Sequence, residues 1–215
     1  MTYLIGIDDA GRGPVIGPMI LAGILIKKED EHKLKEMGAK DSKLLLPTKR
    51  KALSLEIKKN YPYHAEITYP SEIDASDNLN NLEAIKAAMI INKLADKIKE
   101  DIEVIIDCPS VNIKAWNSFV EKLVINKKIK VVSEHKADFN HPSVSAASII
   151  AKEIREDEVS KIKKELQIDF GSGYPADPRT IDFITKNFDN EKFSGIIRHS
   201  WGTVKKLKNN QKKLF

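Results

Sequence analysis

The stretch Tyr3-Leu-Ile-Gly-Ile-Asp-Asp-Ala-Gly-Arg-Gly-Pro-Val-Ile-Gly-Pro-Met-Ile-Leu-Ala-Gly-Ile-Leu-Ile26 decides the fold. Two short apolar runs, residues 3–7 and 19–26, flank a turn rich in Gly and Pro. Runs of this length bounded by turn residues read as a pair of strands. The first run closes on Asp8 and Asp9. The longest apolar segment, residues 18–26, is far short of the ~20 residues a membrane-crossing helix needs. No basic leader with a cleavage site precedes it. The expectation is a buried strand in a cytoplasmic protein with no membrane partner.

Working outward, Pro47 suits the first turn of a helix that carries Leu53 and Ile57 four apart. The alternating His64-Ala-Glu-Ile-Thr-Tyr69 reads as a third strand. Leu82, Ile85, Met89, Leu94 and Ile98 mark a helical stripe. Glu103-Val-Ile-Ile-Asp107 is an apolar strand suited to a sheet centre and ends in a carboxylate. Ile113, Trp116, Val120 and Leu123 give another helix, and Ile129-Lys-Val-Val132 a further strand. From Ser143 a long helix runs toward Leu166, and its small residues Ser145, Ala146, Ala147 and Ser148 permit close approach to the sheet. A loop at 171–178, two helical segments and a basic tail follow. The fold class is α/β: a mixed five-stranded sheet flanked by helices, with a helical C-terminal region.

The 215 residues suffice for one sizeable core. Thirty-six Lys and Arg against 31 Asp and Glu leave a net charge of +5. That excess fits a polyanionic partner and fits a lysine-rich solvated surface equally well. Cys108 is the only cysteine, so an internal disulfide and a four-cysteine zinc site are both excluded.

Acidic residues stand at the ends of three predicted strands: Asp8 and Asp9 after the first, Asp107, and Asp138 in the segment Glu134-His-Lys-Ala-Asp138. One aspartate in such a place is commonly a turn or cap residue. Several sharing the pattern are better explained by convergence on a cation, because clustered carboxylates are costly without one. Oxygen-only ligands select hard ions, Mg²⁺ or Mn²⁺. Two such ions about 3.5–4 Å apart hydrolyse phosphodiesters by activating water and neutralising the leaving oxygen. The turn at 11–18 lacks the spacing of a nucleotide loop, and no helix follows it, which disfavours ATP. Its glycines let backbone approach a sugar-phosphate and Arg12 can grip a phosphate, although a tight hairpin also needs glycine.

The ordered set Gly6-Ile-Asp-Asp-Ala-Gly-Arg-Gly-Pro-Val-Ile-Gly-Pro18, Asp41-Ser-Lys43, Asn78-Leu-Asn-Asn-Leu82, Asp107, His135-Lys-Ala-Asp138, Pro142-Ser-Val-Ser-Ala-Ala-Ser-Ile149, Gly171-Ser-Gly-Tyr-Pro175 and Arg198-His-Ser-Trp201 resembles the ribonuclease HII family, in its archaeal branch. The resemblance implies a ribonuclease H-like fold, with a catalytic domain at 1–170 and a helical C-terminal extension at 171–215 packed on the same core. It implies a two-metal endonuclease that cuts the RNA strand of RNA–DNA hybrids. It also implies incision 5′ of ribonucleotides embedded in duplex DNA, leaving 3′-hydroxyl and 5′-phosphate ends. By position, Asp8, Asp107 and Asp138 match the family's metal-binding aspartates. Asp9 stands where the resemblance implies Glu, which leaves a catalytically weakened or silent RNA–DNA hybrid-binding protein as the alternative. Gly11, Arg12 and Gly13 are expected to engage the ribose and its phosphate, Lys43 a flanking phosphate, and Ser148 the substrate on family grounds alone. Tyr174 resembles the family tyrosine that senses the ribose at an RNA–DNA junction. A 2′-hydroxyl, donor and acceptor at once, is the local mark of RNA. His135 and His199 are candidate proton shuttles by residue type, but two-metal hydrolysis needs no histidine base. The end Gln211-Lys-Lys-Leu-Phe215 resembles a shortened sliding-clamp-binding peptide.

Overall fold

The computed structural model describes residues 1–39 and 45–212. Five strands, β1 (Thr2–Ala10), β2 (Met19–Lys27), β3 (Tyr63–Thr68), β4 (Asp101–Asp107) and β5 (Lys130–Glu134), form one sheet in the order β3-β2-β1-β4-β5. Between and after them come α1 (Glu31–Glu36), α2 (Pro47–Asn60), α3 (Pro70–Ala75), α4 (Leu79–Ala95), α5 (Ile113–Leu123), α6 (Ala137–Asn140), α7 (Pro142–Leu166), α8 (Pro178–Asn187) and α9 (Gly202–Lys212). β1 is antiparallel to β2, whereas β1 and β4, and β4 and β5, are parallel. The mixed five-stranded sheet with flanking helices and a helical C-terminal segment is the one expected. Sequence periodicity passes over the short helices α1, α3 and α6, which are too brief to show a repeat.

Contacts gather the chain into two compact units. The first comprises Met1–Ala10, Ile20–Glu66 and Asn78–Ile154. Its core joins Ile5 and Ile7 of β1, Leu21 of β2, Ile90 of α4, and Val104 and Ile106 of β4. The start of α7 lies directly on β1: a Cβ on Gly6 would sit 2.4 Å from the Ser143 carbonyl carbon. Only glycine admits that approach, and the small residues that follow on the helix, Ala146 and Ala147, are fully buried.

One expectation needs correction. The stripe assigned to α4 includes Ile85 and Met89, yet these are 41% and 45% exposed. The buried face is Leu82, Ala84, Ala87, Ala88, Ile90 and Ile91. Alanines let the helix lie close to the sheet, and close packing selects the small-residue face over the one with larger side chains. Ile98 falls beyond the helix end.

The second unit comprises Gly11–Met19, Ile67–Asp77 and Arg155–Phe215. Its core is built from Val15 and Ile16 with Phe170, Ile184, Ile197 and Val204. Ile16 bridges Ile197, and the Arg198 N–H donates to the Val15 carbonyl at 2.9 Å. The turn after β1 is thereby fixed to the C-terminal segment by backbone as well as by core packing. Among the described residues, no helix is long and apolar enough to cross a membrane.

Candidate active site

The parallel pairing of β1 and β4 sets Ile7 opposite Ile106. One residue further along each strand stand Asp8 and Asp107, so two carboxylates leave the sheet at the carboxyl ends of neighbouring parallel strands, where open α/β sheets bind ligands. Asp8, Asp9 and Asp107 line one pocket of the first unit, together with Ile7, Leu21, Ile106, Pro109 and Trp116. Asp8 and Asp9 are within β1 rather than after it, because that strand continues to Ala10.

Asp8 is buried and carries the strain of the arrangement. Burial holds its carboxyl well above the usual carboxylate range, and the charges of Asp9 and Asp107 push the same way. A hydrogen bond from Ser148 and one from the Asp9 N–H, at 2.7 Å, oppose the rise. Asp107 Oδ1 accepts the Ala137 N–H at 3.0 Å, which ties the end of β4 to the start of α6. Asp138, the next residue on α6, is buried. Lys136, before this helix, adopts the left-handed conformation with φ of 58° and sharply redirects the chain after β5.

These residues suit a hard divalent cation. The donors are all oxygens, and a buried carboxylate whose proton affinity is raised by two neighbours marks a place where positive charge relieves repulsion. Among the described residues no three His, Cys, Asp or Glu side chains are already gathered as a coordination shell. A Mg²⁺ ion, which keeps several waters and binds substrate phosphate, needs only one or two carboxylates from the protein at a time.

In the second unit, Gly11 has φ of +86°. The Arg198 guanidinium, fully buried, donates to the carbonyls of Gly17 (2.9 Å), Arg12 (3.0 Å) and Gly11 (2.7 Å). Tyr174 lies against Gly13, where a Cβ would stand 3.5 Å from the Tyr174 ring. The ring also meets Arg155, which is buried, with its guanidinium carbon 5.1 Å from the ring centroid and Nη2 3.4 Å from the Ser172 carbonyl. Asp177 organises the loop that carries the tyrosine, accepting the N–H groups of Ser172 (2.7 Å) and Arg179 (3.0 Å). Ser172 and the Arg179 guanidinium together hold the Asp177 carboxyl below its usual range.

The sequence-predicted residues therefore fall into two groups. Asp8, Asp9 and Asp107 share a pocket, Asp138 follows the residue that Asp107 holds, and Ser148 sits buried against Asp8. Gly11, Arg12, Gly13 and Tyr174 belong together in the second unit. Lys43 lies outside the described residues, as do 213–215 at the end of the tail. Sequence reasoning missed Glu83, a buried carboxylate of α4 lining the same pocket as the three aspartates. Its only signal is that it is the one acidic residue of α4, beside Leu82. It also missed Arg155, which nothing in its neighbouring sequence distinguishes from a solvated helical arginine. His135 Nδ1–H donates to the Cys108 carbonyl at 3.0 Å, and Asp74 accepts the His199 backbone N–H at 2.7 Å.

Residues 5–204 match the model of the ribonuclease HII family. Ribonuclease HII of Pyrococcus furiosus is 41% identical over 205 residues, spanning 94% of this chain and 89% of the relative. The crystal structure of ribonuclease H2 from Pyrococcus horikoshii superposes with a TM-score of 0.88 at 36% identity, covering 98% of this chain and 99% of the other. Ribonuclease HII of Archaeoglobus fulgidus, solved in complex with PCNA, gives a TM-score of 0.81 at 35% identity over 93% of this chain and 95% of that one. With matched blocks, sheet and near-complete coverage in agreement, the chain belongs to the ribonuclease HII family, the endonucleases that act on RNA–DNA hybrids.

Proposed function

We propose that this ribonuclease H incises 5′ of a ribonucleotide embedded in duplex DNA, as well as within longer RNA–DNA hybrids, leaving 3′-hydroxyl and 5′-phosphate ends. The observation that carries the reading is the pocket where Asp8, Asp9 and Asp107 meet and burial and mutual repulsion raise the Asp8 carboxyl. Divalent ions, Mg²⁺ or Mn²⁺, supply an activated water and neutralise the leaving oxygen when bound. Asp8, Asp9, Asp107 and Asp138 would hold them. Ser148 and the Asp9 N–H fix the Asp8 carboxylate in one orientation, and the Ala137 N–H does the same for Asp107. Gly11, Arg12 and Gly13 hold the sugar-phosphate backbone, Lys43 holds a flanking phosphate, and Tyr174 packs against the ribose through a ring braced by Arg155.

The experiment is incubation of an end-labelled DNA duplex containing one ribonucleotide with protein and Mg²⁺ or Mn²⁺. The expected product is a single nick on the 5′ side of the ribose, with no cut elsewhere and none in an all-DNA duplex. Binding without any nick would favour the silent-binder alternative that Asp9 raises. The tail is proposed to engage a sliding clamp, in line with the PCNA complex of the Archaeoglobus relative. Removal of residues 211–215 should then abolish capture by the clamp and leave nicking intact.

A further inference from the structure

The carbonyl oxygens of the turn at 11–13 are all directed at two residues near the C-terminus. Arg198 takes those of Gly11 and Arg12, and the Trp201 indole N–H takes that of Gly13 at 3.2 Å. The guanidinium carbon lies 4.8 Å from the Trp201 ring centroid, so the two donors form one stacked unit. Arg198 is completely buried, and its Nε spends its remaining reach on the Gly17 carbonyl.

This arrangement has a geometric consequence. The peptides are trans, and in a trans peptide the C=O of one residue and the N–H of the next point in opposite directions. With the Gly11 and Arg12 carbonyls turned toward Arg198, the N–H groups of Arg12 and Gly13 are turned away from it. Pro14 follows and brings no N–H of its own. Gly13 is exposed. Successive N–H groups presented by a turn containing a left-handed residue, here Gly11 with φ of +86°, form a concavity that receives an anionic or lone-pair oxygen. The buried guanidinium adds positive charge behind it.

We infer that Arg198, stacked on Trp201, is a positioning residue that locks the peptide planes of residues 11–13, so that the Gly13 N–H group is preset as a donor to an acceptor oxygen of the nucleic-acid backbone. The inference rests on the reading above that this turn meets the substrate. An arginine is required because its planar fork spans several carbonyls, whereas a lysine ammonium is a point donor. The cost of reorienting the turn is met during folding rather than at each encounter with substrate.

The test uses full-length ¹⁵N-labelled protein and follows the Arg12 and Gly13 amide resonances as a DNA duplex with one ribonucleotide is added, with an all-DNA duplex as the second arm. The wild-type Gly13 amide should shift downfield on binding. A shift confined to the ribonucleotide duplex assigns the acceptor as the 2′-hydroxyl, and a shift with both duplexes assigns it as a phosphate oxygen; either supports the inference. In Arg198→Lys the response should be lost, with KM raised on the order of 10-fold, the scale on which orienting groups act, and with divalent-ion stabilisation of the protein unchanged. Trp201→Phe trims the ring that stacks on the Arg198 guanidinium, and keeps the question open to test if Arg198→Lys does not fold: a reduced Gly13 response is expected. A Gly13 amide that stays still while the wild type binds duplex, or a wild-type response in either folded variant, would overturn the inference. Nicking by the wild type reports separately on the functional reading, so a moving Gly13 amide in a protein that does not nick would sink that reading and leave this inference standing.

Discussion

The carboxylate pocket and the turn at 11–13 solve opposite problems. In the pocket, Asp8, Asp9 and Asp107 repel one another, and burial makes the Asp8 charge costly. In the turn, every carbonyl from Gly11 to Gly13 has a donor, supplied by Arg198 or Trp201. One region is held short of electrostatic balance and invites a cation; the other is satisfied internally and presents its remaining groups outward. On the proposed reading, the first region supplies the chemistry, which depends on charge, and the second the recognition, which depends on shape. Changes in the pocket should therefore alter chemistry with little loss of fold, and changes in the turn should alter fold and recognition together.

The largest effect on rate is expected from Asp8→Asn, which removes a charge at the centre of the pocket. Nicking should fall to background, while thermal melting without divalent ions stays level or rises, because a source of repulsion has gone. A melting temperature well below wild type would mean that Asp8 is a structural rather than a charge-storing residue. Next comes Asp9, where, on the proposed reading, a side chain one methylene shorter than the glutamate expected there would meet an ion that demands short, near-octahedral contacts. Wild type should prefer Mn²⁺, and Asp9→Glu should raise the Mg²⁺-supported rate, by at most ~10²-fold given what a misplacement of about 1 Å costs. Lower Mg²⁺ turnover in Asp9→Glu would indicate that the surrounding backbone has adapted to aspartate.

On the other side of the comparison, Gly11→Ala should cost about 1–3 kcal/mol of stability for a non-glycine residue held at positive φ. A further penalty arises because its Cβ would lie 2.5 Å from Arg155 Cδ and 2.8 Å from the Pro18 carbonyl oxygen. Chemical denaturation measures it, and an unchanged midpoint would show that the turn relaxes freely. The smallest effect concerns Asp177. Its folded carboxyl is held below the ordinary range by the Ser172 N–H and by Arg179, so its contribution is present above the usual carboxylate pKa and is lost as pH falls through the lowered folded value. The melting advantage of wild type over Asp177→Asn should accordingly be steady near neutrality and shrink in acid. An advantage that grows in acid would contradict the assignment.

Much of this architecture is legible in the amino-acid sequence. Strand runs such as residues 3–7 and 103–107 announce themselves because burial in a sheet imposes a local apolar pattern, and the acidic residues at their ends follow from the same reading. The buried face of α4 is hidden from such a reading because the alanines that pack most closely contribute least to an apolar stripe. Arg198 and Arg155 are illegible as buried cations. Their partners lie far away in sequence, Gly11 and Arg12 for one and the Tyr174 ring for the other, and no local periodicity reports on a distant carbonyl or ring. Glu83 escapes in the same way, since its place beside the aspartates arises only when α4 packs under β1 and β4.

The division of labour between the two regions is tested most directly by Asp107→Asn, assayed on one duplex bearing a single ribonucleotide for both affinity and nicking. On the proposed reading, neutralising a carboxylate near the phosphodiester removes repulsion, and it leaves the turn at 11–13 untouched. The predicted result is affinity equal to or above wild type, measured without divalent ions, and no nick in Mg²⁺ or Mn²⁺. A variant that still nicks at the wild-type rate, or one that loses binding and nicking together, would contradict the account.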